Sequence, residues 1–115
     1  MRKIRFDIEL YEATVTIIDT ENSEDLEKLG VEVHTIDGNK IWAYCTADPE
    51  ELRDVFIVVN TKFEGFEDYI LVHECVHASN YIFQAISHRP PTTDDEPQAY
   101  LISHIFKKAK DFLSK

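Results

Sequence analysis

Residues 73–77 read His73-Glu74-Cys75-Val76-His77, an H-E-x-x-H sequence. On an α-helix, residues four apart stand one turn above each other, so His73 and His77 can present two imidazoles to a single tetrahedral zinc ion. Glu74 is turned about 100° from His73, which sets its carboxylate beside the metal and not on it. There it can take the proton of a water whose pKa the zinc has lowered. Cys75 falls about 200° around the helix from His73 and should face the core. With five His and twelve Glu among 115 residues, chance alone gives such a match roughly 2% of the time. The plainer alternative is two histidines and a glutamate on a solvated helix face, and a third ligand is what separates the two readings.

The candidates for that ligand are His88, Asp94, Asp95, Glu96 and His104. Glu96 lies at the start of a second helical stretch, with eighteen residues between it and His77. That gap accommodates the end of one helix, a loop and an antiparallel return, which would bring the start of the second helix back toward the metal. Two neutral imidazoles and one carboxylate, with water in the fourth position, is the pattern of a catalytic zinc. Hydrolysis would also need a donor to the developing oxyanion. Tyr100 and His104 lie four and eight residues after Glu96 on the same helical face, and Tyr81 continues the face of His73 and His77. For each of these, packing or a hydrogen bond to a neighbour is the simpler role.

The elements that must hold these groups are legible around them. Ile4, Phe6, Ile8 and Leu10 alternate with charged residues as a strand, and the β-branched run 13–18 reads as its antiparallel partner. Asn22-Ser23 with Glu24 and Asp25 is a helix start and Gly30 a stop, enclosing Leu26 and Leu29 as buried positions. Residues 31–35 and 40–46 flank Asp37-Gly38, a hairpin signal. Asp48-Pro49-Glu50-Glu51 has the composition of a brief helical turn, and Val55 to Val59 that of a buried strand. From about Phe66 to Ile86 the apolar spacing becomes helical, a polar loop 88–95 follows, and Pro97 opens a second helix that ends among Lys107, Lys108, Lys110 and Lys115. That lysine cluster is expected to be a solvated helix end. The prediction is an α+β fold: about five short strands in a small, mostly antiparallel sheet packed against two long helices.

Composition narrows the classes further. One domain over residues 1–115 is the expectation for this length. A net charge of -10 repels phosphate backbones, so no nucleic-acid partner is expected. There is no apolar run long enough to span a bilayer and no apolar stretch behind the basic start, so neither a membrane partner nor a secretory signal is expected. Cys45 and Cys75 are expected as free thiols in a reducing compartment. Trp42 and Tyr44, His34 and Cys45 read as packing residues.

The residues His73-Glu74-Cys75-Val76-His77-Ala78 followed by Glu96-Pro97-Gln98-Ala99-Tyr100-Leu101 resemble the gluzincin metallopeptidases, whose second zinc-binding helix supplies a Glu. More narrowly, they resemble the small single-domain zincin-like proteins encoded by tailed bacteriophages. Repressor-cleaving peptidases of the ImmA/IrrE type share the arrangement more loosely. The resemblance implies a minimal zincin-like domain with His73, His77 and Glu96 as zinc ligands and Glu74 as general base. It also implies a peptide or protein substrate, an extended pose along an edge strand near 40–46 or 55–59, and action in the host bacterial cytoplasm. Pro97 departs from a regular helix start. A residue before proline is pushed out of the α region, which would place Glu96 at the cap or just outside and leaves Asp95 or Asp94 as substitute ligands. The rival expectation is a non-catalytic zinc-binding or interaction protein, a degenerate zincin acting in infected cells, since a domain this small lacks a second lobe to wall a cleft.

Overall fold

A computed structural model describes residues 1–36, 38, 40–87 and 95–115. Asp37, His88 and Asp94 of the readings above lie outside the described residues. Strand β1 (Arg2–Ile8) runs through a 3-10 turn (Glu9–Tyr11) into β2 (Ala13–Asp19), and helix α1 (Ser23–Leu29) follows. Strands β3 (Ala43–Asp48) and β4 (Glu51–Val59) form a hairpin, and helices α2 (Asp68–Ala85) and α3 (Glu96–Leu113) complete the chain. The sheet order is β1-β2-β4-β3. The outer pairs are antiparallel, as expected, while β2 and β4 pair in parallel with Val15 opposite Val55 and Ile17 opposite Ile57.

The architecture is α+β, with four strands where five were expected and the short α1 beside the two long helices. Residues 31–35 do not pair in the sheet; only an isolated bridge joins Ile36 to Lys40. Val31 is buried instead beneath the sheet with Leu26, Ile41, Tyr44 and Val58, and the Tyr44 hydroxyl donates to the Glu32 carbonyl at 2.6 Å. Burial on the second sheet face thus outweighs strand pairing for this segment. The helical turn expected after Asp48 is a tight hairpin turn: the Asp48 carboxylate accepts the Glu50 N–H at 2.9 Å, and β4 begins at Glu51. An Asp-Pro pair satisfies a turn N–H as readily as a helical one.

Helix α1 is bounded as its sequence dictates. The Asn22 side chain accepts from the Glu24 N–H, and Gly30 adopts φ +72°, a conformation that favours glycine. Its seven residues give only two turns, so Leu26 is fully buried while Leu29 stays 38% exposed.

The main core lies between the other sheet face and the helix pair. Val15, Ile17, Val55, Ile57 and Val59 meet Leu71, Cys75, Ala78 and Ile82 of α2 and Leu101, Ile105 and Ala109 of α3. Helices α2 and α3 run antiparallel. Gln98 Nε2 donates to Asn80 Oδ1 at 2.7 Å and to Ser79 Oγ at 3.1 Å, and Lys110 Nζ meets Asp68 Oδ1 at 2.9 Å near the other end. Among the described residues, no helix is long and apolar enough to cross a membrane.

Candidate metal centre

Cys75, Ala78 and Ile82 drive one face of α2 into the core, and the 3.6-residue period then leaves His73 and His77 on the opposite, solvated face. Their Nε2 atoms are 3.1 Å apart, with the rings edge to face. Two nitrogens ligating one zinc at tetrahedral geometry stand about 3.3 Å apart, so the pair is spaced as a chelate before any ion binds. Glu74 lies between this face and the core. Its side chain is 6% exposed, and Oε1 is 3.8 Å from His73 Nε2. Oε2 is buried with no hydrogen-bond partner among the described residues. Burial raises the Glu74 pKa, and the two nearby histidines pull it back only in part. An unpaired buried carboxylate is costly, and a cation or a water held beside it would relieve that cost.

His73, Glu74 and His77 each offer a ligand atom within 4.8 Å of the others and so can hold a metal ion. Two imidazoles and a carboxylate suit zinc and its neighbours among divalent ions. Cysteine does not enter the set. Cys45 and Cys75 are free thiols, and burial pushes Cys75 up to about 12 and Cys45 higher still, so both stay protonated.

The structure brings His73, Glu74 and His77 together and does not bring Glu96 to them. Glu96 is the first residue of α3, exposed, with Asp95 in the capping position. The helix therefore starts one residue earlier than the proline suggested. A proline in the first turn forfeits no helical hydrogen bond, and the first bond runs from the Ala99 N–H to the Asp95 carbonyl. The register set by Gln98 and Lys110 puts Leu101 level with His77. Glu96 is then five residues, about 7.5 Å of helix rise, beyond it. Its carboxylate is not among the atoms that group with the two histidines. His88 and Asp94 lie outside the described residues.

The three candidate oxyanion donors are scattered. Tyr100 is 71% exposed on the outer face of α3. His104 meets Phe6 of β1 edge-on at 6.3 Å, toward the sheet edge opposite β3. Tyr81, on the His73 and His77 face of α2, is packed against the main core.

Three residues to which the sequence assigned no part in the site border the cluster. Trp42, Ala43 and Tyr69, with Ile70, His73 and Glu74, line a cleft of about 290 Å³ between the start of β3 and the first turns of α2. Tyr69 stands four residues before His73, so helical spacing alone could have found it. Trp42 is 41% exposed, and its expected packing role is only half met. Larger hollows of about 470 and 500 Å³ lie elsewhere, and neither contains a member of the cluster. Of the two strands considered for an extended ligand, β4 is enclosed by β2 and β3, whereas β3 is the sheet edge beside the cleft.

Compared with protein-family models, with curated proteins and with solved structures, the chain matches none.

Proposed function

We propose that this protein is a zinc-dependent hydrolase of peptide amide bonds, with His73 and His77 holding the ion and Glu74 acting as general base. The observation that carries this reading is the pre-set 3.1 Å spacing of the two Nε2 atoms beside a buried carboxylate whose Oε2 has no partner. A bound zinc ion supplies a Lewis acid and a water that ionises near neutral pH.

Glu74 is placed to receive the proton of the attacking water and return it to the leaving amine. Its raised pKa brings it closer to the operating range of such a proton carrier. Cys75, Ala78 and Ile82, buried in the main core, anchor the helix that carries Glu74 and both imidazoles. The resemblance implies Glu96 as the third protein ligand, with Asp95 or Asp94 as the substitute, and neither Glu96 nor Asp95 joins the cluster among the described residues.

Metal analysis and peptide hydrolysis test the reading together. About one zinc per chain is expected in wild type and none in His77→Ala. Glu74→Gln should keep the zinc and lose hydrolysis, and cleavage retained by Glu74→Gln would sink the base assignment. The second reading, a zinc-binding or interaction protein without catalysis, is favoured by one observation: among the described residues the cluster contains no third ligand apart from Glu74 itself. Stoichiometric zinc with no cleavage of any peptide by wild type would establish it.

A further inference from the structure

We propose that the free edge of β1 is a self-association surface, on which a second copy of the chain pairs its own β1 antiparallel about Phe6 and joins the two sheets into one. The inference is independent of the metal cluster, which lies toward β3 at the far edge of the sheet.

Among the described residues β1 pairs only with β2, so one side of its backbone offers open N–H and C=O groups. Its side chains divide between the two sheet faces. Ile4, Phe6 and Ile8 stand opposite Ile17, Val15 and Ala13 and pack into the main core, while Lys3, Arg5 and Asp7 are exposed on the other face.

The order of the charges selects the partner. Lys3 and Arg5 are positive, Asp7 is negative, and Glu9 in the 3-10 turn adds a second negative charge. Reversed and laid beside itself about Phe6, this run sets Arg5 against Asp7 of the second copy and brings Lys3 level with its Glu9. Each pairing occurs twice by symmetry. On the core side Phe6 then meets Phe6, and Ile4 meets Ile8. A slip of one residue would set apolar side chains against charged ones. A slip of two would set Arg5 against Arg5 or Asp7 against Asp7, and like charges directly opposite are destabilising. One register therefore satisfies both faces. Charges on an edge strand ordinarily ward off a further strand, and their order here makes a second β1 the exception.

The same groups are uncommitted inside the chain. Among the described residues, none of Lys3, Arg5, Asp7 and Glu9 is in an ion pair. Asp7 accepts the Thr14 hydroxyl at 3.3 Å, and Arg5 attracts Asp54 at longer range. The apolar rim of this edge is also incompletely covered. Ile4 and Phe6 are half-buried, as are Ile102 and Phe106 of α3, which pack against the same core. Leu10 is 82% exposed just after β1, and the pairing brings it level with Arg2 of the second copy, the residue whose guanidinium lies 5.3 Å over Phe112. The seam is short, which places the dimer among weak, concentration-dependent ones. At physiological salt the general repulsion between two chains of charge -10 is screened beyond about 8 Å, so the contacts at the seam decide.

Sedimentation equilibrium of wild type from about 1 µM to 1 mM, the range of weak interfaces, should show a monomer–dimer equilibrium. Arg5→Asp sets acid against acid across the seam, and Asp7→Arg sets base against base. Each variant should keep a cooperative melt and dimerise about tenfold or more weakly than wild type. An equimolar mixture of the two restores opposite charges at both positions and should associate about as tightly as wild type does with itself. The double variant, Arg5→Asp with Asp7→Arg, reverses the order of charges and should dimerise alone. If either single variant fails to fold, Lys3→Glu, one pair further from the axis, takes its place and should weaken association in the same direction. A wild type that stays monomeric throughout, a dimer that the single variants leave as tight as before, or two folded variants that do not associate with each other would overturn the proposal.

Discussion

Gln98 hydrogen-bonds Asn80 at 2.7 Å, and this bond between α3 and α2 helps set the level along α2 that each residue of α3 faces. It places Glu96 beyond the level of His77 and gives the two acids of the motif unequal standing. Glu74 belongs to the group that could hold a metal ion, and Glu96 does not.

Zinc affinity should follow that inequality. His77→Ala removes half of the chelating pair and is expected to weaken zinc binding by at least a hundredfold, as loss of a ligand does. Glu96→Ala should cost less than about tenfold, below the usual cost of disturbing even a supporting residue. Competition titration with a chromophoric chelator measures both. Equal losses in the two variants would mean that the start of α3 closes onto the metal when it binds.

Metal-free stability should fall as pH rises through the Glu74 titration. Burial holds the Glu74 pKa above its unfolded value, so between the two values the folded chain binds more protons than the unfolded one. Its stability therefore declines with increasing pH over that window. Glu74→Gln removes the buried charge and should raise the metal-free melting temperature at pH 7 by about 2–5 °C. The gain should vanish below the unfolded carboxylate range, near pH 4. A variant that melts lower than wild type at pH 7 would contradict this.

Chelation should release zinc without unfolding the chain. The α2 face opposite His73 and His77 is already buried through Leu71, Cys75, Ala78 and Ile82, so a bound metal would add binding energy to a formed scaffold. Circular dichroism should retain its helical signal, with a cooperative melt lowered by on the order of 10 °C or less. Loss of the melt altogether would make the ion structural.

Away from the site, Asp19 ties three segments together. It accepts from Arg2 at 2.7 Å and from the Thr61 hydroxyl at 2.8 Å and backbone N–H at 3.0 Å. Partial burial raises its pKa, but the Thr61 N–H, Arg2 and the Thr61 hydroxyl together hold it below the usual carboxylate range. Asp19→Ala should cost about 1–3 kcal/mol at pH 7. Because the folded pKa is the lower one, that contribution is complete above the unfolded value and disappears as pH falls through the folded one. Urea unfolding of wild type and variant from pH 7 to pH 2 should show the two curves converging in acid; a constant gap would sink the assignment.

What the sequence determined by itself was local. The four-residue spacing of His73 and His77, the burial of Cys75, the caps at Asn22 and Gly30 and the alternation of β1 all follow from backbone periodicity, which needs no partner to be read. What the tertiary structure decided was everything that depends on which surfaces meet. Parallel pairing of β2 with β4 joins segments about 40 residues apart, and no local pattern encodes that. Residues 31–35 have strand composition, yet the second sheet face claims Val31 for burial. Glu96 has the right type and a suitable gap from His77, but its reach depends on the sliding register of two helices, set by Gln98, Lys110 and the core between them. The cleft at Trp42 and Tyr69 exists only because these two residues, 27 apart in the chain, come from the start of the edge strand and the first turn of α2, which are neighbours in space.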